Sequence, residues 1–453
     1  MQNQVVFSKA ESVRDVLRYL KRFKNASIVI YIDDRIINSS LFTSHIRDIS
    51  MIHEAGLKVI IVPGARTRID EVLIQAGISW KIIDGCRITK EEAMPLIKMA
   101  AFDSCNQIMT SLAGEKKTAV IGNWVRARSR GVLDGVDFAT SGEIEKIQIE
   151  SIQKIMENGF IPIFPCIGWS TAGKPYNISS VSLASYVAQQ IKADKLLFLV
   201  PDAKISCNQF NVPSCIGFSE EGKVPALSIE EAKLFVKSNL AESLAYDNQM
   251  LEEEKKARIL DLVKVGINAC SNGVSRIHIL DSYLDGTIPC EIFSDFGSGT
   301  MIYESNYGGI RNMATDDIPA IMNLIRPFVE EGILLPRTEQ NLAANYGDYV
   351  VYELDGGIRA CAALHLYDKV QGEIAAVAVE PAYSHIGVGI KLVKYLLDRA
   401  KMFNLNSVFI MTTQAGDWFE SIGFVPDKID SLPQERLAKW TSSRNSKVYR
   451  IQL

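Results

Sequence analysis

Between Ser27 and about Thr300 the chain alternates short apolar runs with longer amphipathic stretches. SIVIYID, KVIIVPG, KTAVIGN, IPIFPCIG, KLLFLVP and RIHILD are rich in β-branched residues, and several are apolar at consecutive positions, as strands buried on both faces of a parallel sheet are. LFTSHIRDISMIHEAG and ESIQKIMENG repeat apolar residues at helical spacing and end on glycine, which suits a helix C-terminus. The pattern predicts one large α/β sandwich with a mainly parallel sheet. Within it, SRGVLDGVDFATSGEIEKI is polar, turn-rich and alternating. It predicts a hairpin laid over the strand ends, a place where insertions often cover a binding site.

The pattern changes near residue 300. MIYESNYGG lacks helical periodicity and ends in two glycines, so we place residues 1–300 in a first domain, 301–309 in a linker or the end of the first sheet, and 310–453 in a second domain. The second domain opens with a short strand and a helix running to about Glu331, for which Thr315 and Asp316 are candidate N-caps. DYVVYELDGGIRACAALHLY predicts two strands about a turn, and GEIAAVAVEP predicts a third. The amphipathic helix GVGIKLVKYLLDRAKMFN, a buried strand SVFIMTT, the short helix GDWFESIG and a closing strand KVYRIQL follow. This is a smaller α/β domain with a mixed sheet.

Composition then narrows the function. At 453 residues the length alone allows about three domains, and the pattern reduces these to two of unequal size. Lys and Arg total 49 against 53 Asp and Glu, so no basic excess exists for general nucleic-acid binding. The eight cysteines are widely spaced, without a C-x-x-C pair, and read as reduced core thiols, neither zinc ligands nor a disulfide framework. The N-terminal MQNQVVFSKAESVRDVL has no signal-peptide pattern, and no apolar run reaches the roughly 18 residues of a membrane span. A cytoplasmic protein without a metal or a membrane partner is expected.

Residues 377–397, VAVEPAYSHIGVGIKLVKYLL, run from strand through a glycine loop into a helix. Gly387 and Gly389 stand where free backbone N–H groups and the helix dipole can hold a pyrophosphate, although glycine is also commonplace in ordinary strand-to-helix loops. The order of elements around this loop resembles the GNAT acyltransferase superfamily, whose Q/R-x-x-G-x-G/A loop binds acetyl-CoA. That resemblance assigns the loop Ser384, His385, Ile386, Gly387, Val388, Gly389 and Ile390 to the pyrophosphate, and Val377, Ala378 and Val379 to main-chain contacts with the pantetheine arm and thioester. Ser384 stands where the superfamily has Gln or Arg, which removes one side-chain contact and keeps the backbone cradle.

Nearly the entire chain resembles the bacterial N-acetylglutamate synthase family, an amino-acid-kinase-like domain followed by a GNAT domain. VPGARTRID, LDGVDF, IRPFVEEGILLPR, CAAL, GEIAAVAV, MTT, DWFESIGF and SRNSKV occur in that order. The resemblance implies acetyl transfer from acetyl-CoA to L-glutamate, with Glu373 as general base and Thr412 as acid. A threonine is a poor acid in water, so for Thr412 a hydrogen bond to sulfur or backbone is the alternative role. The resemblance also makes Arg337, Arg444 and Ser446 the glutamate-binding residues, guanidinium groups being suited to carboxylates. His365, nearby, reads as structural. Assembly of several copies through the kinase-like domain is expected as well.

In the first domain, active kinases of this kind carry a Lys and paired glycines near the first strand, where this chain has Tyr31 to Asp34 in IVIYIDD. Two carboxylates there would repel a polyphosphate. The N-x-N-A-D segment reads Asn177, Ile178, Ser179, Ser180, Val181, and a second phosphate-facing Lys corresponds to Leu262. Phosphoryl transfer depends on positive charge and positioning, so the domain is expected not to phosphorylate. The family's arginine-sensing residues match Tyr19, His278, Glu291 and Gly297, which implies L-arginine as an effector; His278 also reads as a core histidine and Gly297 as a turn. Two rival functions stand beside this one: acetyl transfer to a different amine, and a catalytically silent amino-acid sensor.

Overall fold

The computed structural model describes residues 23–83, 85–213, 216–219, 221–240, 250–293, 297–304, 308–354, 357–368, 370–440, 444 and 446–453. The chain divides into two compact units, Met1–Glu304 and Ser305–Leu453.

The first unit is built on an eight-stranded sheet, in the order Ala226–Ser228, Thr300–Tyr303, Arg276–Asp281, Lys195–Val200, Ser27–Ile32, Lys58–Pro63, Ile161–Ile163 and Ala119–Ile121. All neighbours are parallel except Arg276–Asp281 and Thr300–Tyr303. Because side chains alternate along a strand, the unbroken apolar runs feed two cores. Ile28, Ile30 and Ile32 pack on one face, with Ile61 and Leu197. Val29 and Tyr31 pack on the other, with Val62 and Phe198. Helix Phe42–Glu54 ends before Gly56 (φ 94°), and Ile149–Glu157 before Gly159 (φ 77°), as the terminal glycines imply. The inserted segment forms strands Val125–Ser129 and Gly142–Ile147 of a separate four-stranded sheet, with a two-residue hairpin, Val132–Leu133 and Val136–Asp137, between them.

The sequence places a linker at 301–309; the structure places most of that segment in strands. Met301 pairs with His278, and Gly308 pairs with Leu354 in the second sheet. The connection shrinks to a few residues because TMIY is a four-residue strand, too short for its alternation to stand out.

The second unit is a seven-stranded mixed sheet, ordered Gly308–Asn312, Tyr349–Leu354, Gly357–Tyr367, Gln371–Val379, Ser407–Thr412, Lys447–Gln452, Val425–Asp427. Only Gln371–Val379 and Ser407–Thr412 run parallel. Helix Val388–Met402 covers one face with Val388, Leu392, Val393 and Leu396. Helix Ile318–Glu330 covers the other with Ile321 and Ile325. The start of that second helix is fixed by Asp317, not by Thr315 or Asp316. Its carboxylate accepts from Ala314 N at 2.7 Å and from both terminal nitrogens of Arg311 at 2.6 and 2.9 Å.

Asp317→Ala removes the cap and two of the Arg311 contacts, leaving that half-exposed guanidinium with Glu353, and should cost about 1 kcal/mol, read as a lower urea midpoint at unchanged slope. Asp317→Asn, which keeps an acceptor, should recover part of the loss.

Candidate active site

Strand Gln371–Val379 pairs with Ser407–Thr412 only from Gln371 to Ile374, the last pair being Ile374 with Ile410. One residue pair further on, the strand is bulged. Between the Ala363–Ala375 and Cys361–Ala378 pairs, Ala362 faces two residues, Ala376 and Val377, and Ala376 adopts φ 53°. A bulge bends its strand and adds one residue to the side-chain count. Ile374 therefore packs under helix Val388–Met402, whereas Ala376 and Ala378 pack on the opposite face. Beyond Ile374 the edge of Val377, Ala378 and Val379 that faces strand Ser407–Thr412 has left the ladder, and it lines a gap between the two parallel strands. Main-chain donors and acceptors on such an edge suit the amides of an extended chain laid into the gap.

The loop at the end of this strand has the features of an anion cradle. Pro381–Ile386 is a 3₁₀ turn, and Gly387, at φ 72° and ψ 16°, opens helix Val388–Met402 without a side-chain cap. The first intrahelical bond is Lys391 N to Gly387 O, so the N–H groups of Val388, Gly389 and Ile390 point out of the helix start. The two glycines differ in purpose. A Cβ on Gly387 would meet nothing, so glycine serves its left-handed backbone there; a Cβ on Gly389 would lie 3.1 Å from the Trp418 ring. Ser384 Oγ donates to Pro381 O at 2.9 Å and stiffens the turn. Val388 is itself a core residue, so only its main chain is available. His385 and Ile386 lie in the turn.

Glu373 is 5% exposed and sits opposite His365 on one neighbouring strand and Phe409 on the other. Its Oε2 accepts from Arg436 Nε at 2.7 Å and from Tyr367 Oη at 3.2 Å. Burial and the adjacent carboxylate push the Tyr367 phenol well above its ordinary range. Thr412 ends strand Ser407–Thr412 beside the gap, with its Oγ1 accepting from Ala415 N at 2.9 Å and Gln414 N at 3.3 Å. Both lone pairs are engaged, which leaves the hydroxyl proton to donate. Ser446, half-buried, precedes Lys447, the partner of Thr412.

Arg337 donates from Nε to Tyr349 Oη at 2.8 Å and from a terminal nitrogen to Leu335 O at 3.1 Å. Arg444 donates to Ile333 O at 2.6 Å and Gly332 O at 3.2 Å. Both arginines thus brace the same turn after helix Ile318–Glu330. Burial, then repulsion from Arg337 and Arg436, lowers the proton affinity of Arg444. The three guanidinium groups therefore lie within electrostatic reach of one another, and Arg436 is the one that contacts Glu373. The sequence reading missed Arg436, which stands in a four-residue helix, Gln434–Leu437, with no motif around it. His365 Nδ1 lies 2.7 Å from Asp348 Oδ2, a pairing in keeping with its structural reading.

In the first unit, the carboxylates read as repelling phosphate are themselves the resident anions. Asp34 accepts from Thr67 N (2.5 Å) and Arg68 N (3.2 Å) at the start of helix Arg66–Gln75, the position a phosphate would take. Asp33 is fully buried and paired with Arg35 and Arg258. Leu262 is in the core.

Glu291 and His278, both buried, are joined by a 2.6 Å contact between Oε1 and Nδ1. Oε2 accepts from Ser298 N at 2.5 Å and Gly299 N at 3.0 Å, and a Cβ on Gly297 (φ 58°) would lie 2.7 Å from it. With these donors Glu291 stays ionised. Burial and the nearby Lys195 and Arg276 keep His278 neutral, so Nδ1–H donates to Glu291. His278 Nε2 is left as a buried acceptor without a partner among the described residues. Tyr19 lies outside the described residues. Among the described residues, no cluster suited to a metal occurs, and no helix is long and apolar enough to cross a membrane.

A GNAT sheet opened beside a glycine loop, in a chain that also carries an amino-acid-kinase sandwich, defines an acyl-CoA-dependent acyltransferase. Comparison with known proteins agrees. Residues 28–205 match the amino acid kinase family and 345–426 the acetyltransferase (GNAT) domain. The chain is 32% identical over 442 residues to an amino-acid acetyltransferase of Actinobacillus pleuropneumoniae, covering 96% of each. It is 30% identical over 451 residues to that of Shewanella oneidensis, covering 96% of this chain and 95% of the relative. It belongs to the amino-acid acetyltransferase family. The N-acetylglutamate synthase of Neisseria gonorrhoeae complexed with coenzyme A and L-arginine superposes with a TM-score of 0.77 at 26% identity over 98% of this chain and 99% of that one. The same enzyme with coenzyme A and N-acetyl-glutamate gives 0.60 at 28% identity, with the same coverage.

The state of His278 has a consequence for acid stability. Unfolded, it titrates near its ordinary value of 6.5; folded, it stays neutral down to about 4. Acidification through that window protonates the unfolded chain first, so stability should fall as pH drops from 6.5 toward 4. In thermal melts across that range, His278→Gln should show a shallower decline than the unaltered protein.

Proposed function

We propose that the protein transfers the acetyl group of acetyl-CoA to the α-amino group of L-glutamate, and that its kinase-like domain senses L-arginine without phosphorylating anything. The observation that carries the first part is the pair Arg337 and Arg444, both braced on the turn after helix Ile318–Glu330 and close enough to repel each other, while Arg436 is matched to Glu373. Two guanidinium groups beyond the matched pair are the complement of an acceptor with two carboxylates. An amine without carboxylates would leave that charge uncompensated, which sets the reading against acetyl transfer to such an amine.

Acetyl-CoA, when bound, supplies an acyl carbon activated by a thiol leaving group. The N–H groups of Val388, Gly389 and Ile390 hold its pyrophosphate, and the main chain of Val377, Ala378 and Val379 holds its pantetheine arm and thioester. Arg337, Arg444 and Ser446 hold the carboxylates of glutamate. Glu373 takes, directly or through a water, the proton that the α-ammonium must lose before nitrogen can attack. Thr412 presents its hydroxyl proton to the departing sulfur. Nitrogen gains the acetyl group as the carbon–sulfur bond breaks; the second proton it sheds replaces the one Thr412 gives to sulfur, so the thiol leaves protonated and the proton held by Glu373 passes to solvent.

For the effector, Glu291 is already engaged by His278, Ser298 and Gly299, so its role is to orient these groups. His278 Nε2 is the acceptor that suits a guanidinium N–H. Assembly of copies through the kinase-like domain and a cytoplasmic site belong to the same reading; light scattering checks the first.

Glutamate should release free thiol from acetyl-CoA. Glu373→Gln should lower kcat by about 10² or more. Arg444→Ala should raise the glutamate KM by at least about tenfold, with a smaller change in kcat. Calorimetry should detect L-arginine binding in the unaltered protein and its loss in His278→Phe. Absence of thiol release with any amino acid, alongside intact arginine binding, would instead identify the silent sensor.

A further inference from the structure

Resting on the reading of Glu373 as the base, we propose that Arg436 is a positioning residue, holding Glu373 as an anion with one carboxylate oxygen committed and the other free to receive a proton. Both recorded donors to Glu373, Arg436 Nε and Tyr367 Oη, meet the same atom, Oε2. That leaves Oε1 without a side-chain donor among the described residues. A carboxylate this deeply buried is driven toward its neutral form unless a cation stands beside it. Arg436 supplies that cation at 2.7 Å, with both side chains largely buried, at 12% and 6% exposure.

The other charged and titratable groups packed around this carboxylate do not replace Arg436. His365, its cross-strand neighbour, is paired with Asp348. Arg450, opposite Phe409, is committed to Asp427, Gln371 and Ser407. Arg337 is held by Tyr349 and Leu335, and Arg444 by Gly332 and Ile333. Tyr367 donates a neutral hydrogen bond, and Glu435 adds negative charge near Tyr367. Arg436 is also anchored from below the site: its helix follows the 3₁₀ turn Ile429–Ser431, whose Ser431 is tied to Asp427 and Arg450. The guanidinium is therefore delivered to Glu373 by a braced segment.

The inference predicts a split between kinetic parameters. In Arg436→Gln the acid limb of kcat/KM should move up by about one pH unit or more, because the buried carboxylate loses its cation. The glutamate KM should change by less than about threefold, whereas a group that grips a substrate carboxylate would raise it about tenfold or more. Arg436→Lys, which keeps the charge without the planar fork, should return the limb toward its original position. Tyr367→Phe should shift it in the same direction as Arg436→Gln, by less. Infrared difference spectra give a readout free of turnover: the protonated-carboxyl band that disappears in Glu373→Gln should titrate at higher pH in Arg436→Gln. An unmoved acid limb and band, with Glu373→Gln inactive, overturn the role of Arg436 alone. Full activity in Glu373→Gln overturns the base assignment on which it rests. Should Arg436→Gln fail to fold, Arg436→Lys and Tyr367→Phe decide the question by the same two measurements.

Discussion

The second domain depends on a ladder that stops. Two parallel strands that continued to pair past Ile374 and Ile410 would satisfy their own main-chain groups and leave nothing to offer a cofactor. The bulge at Ala376 prevents this by turning the strand and changing the phase of its side chains. A left-handed backbone at a residue other than glycine costs roughly 1–2 kcal/mol, and here that strain accompanies an opening in an otherwise closed sheet. The glycine loop, Thr412 and Glu373 take their places from that divergence. The loop follows the freed strand, the threonine ends its former partner, and the carboxylate stands at the last stretch where the two still meet.

The first domain shows how a helix start can be satisfied from within the chain. Asp34 now caps the helix start that would face a phosphate, and the Asp33 carboxylate is neutralised by two arginines. Charge that would have come from a ligand comes from the chain. The sheet keeps its two apolar faces and is a platform for a different cluster, His278 on strand Arg276–Asp281 with Glu291 on helix Thr287–Phe293.

The sequence made the scaffold legible wherever a strand was buried on both faces, because KLLFLV and RIHILD admit few other readings. Helix Val388–Met402 was equally plain from its periodicity and its opening glycines. Very short strands such as Thr300–Tyr303 were not, since four residues carry too little pattern. Among site residues, those embedded in motifs were found from resemblance, and Arg436 was not. Its partner lies 63 positions away, and no local property distinguishes an arginine that meets a buried carboxylate from one that meets water. Asp34 and Glu291 were seen as charges, without the backbone donors that hold them. A carboxylate in a sequence shows its charge; only the fold shows that backbone amides have already claimed it.

The bulge also shapes how this strand can change over evolution. Because one extra residue decides which face Val377, Ala378 and Val379 present, removing or adding a residue between Ala363's partner and Cys361's partner would exchange inward and outward positions to the end of the strand. Substitutions there alter size at a fixed address, whereas a change of length alters every address after it. The segment is therefore held more tightly in its count of residues than in their identity, and drift in this part of the family should proceed by exchange of small apolar residues at constant spacing.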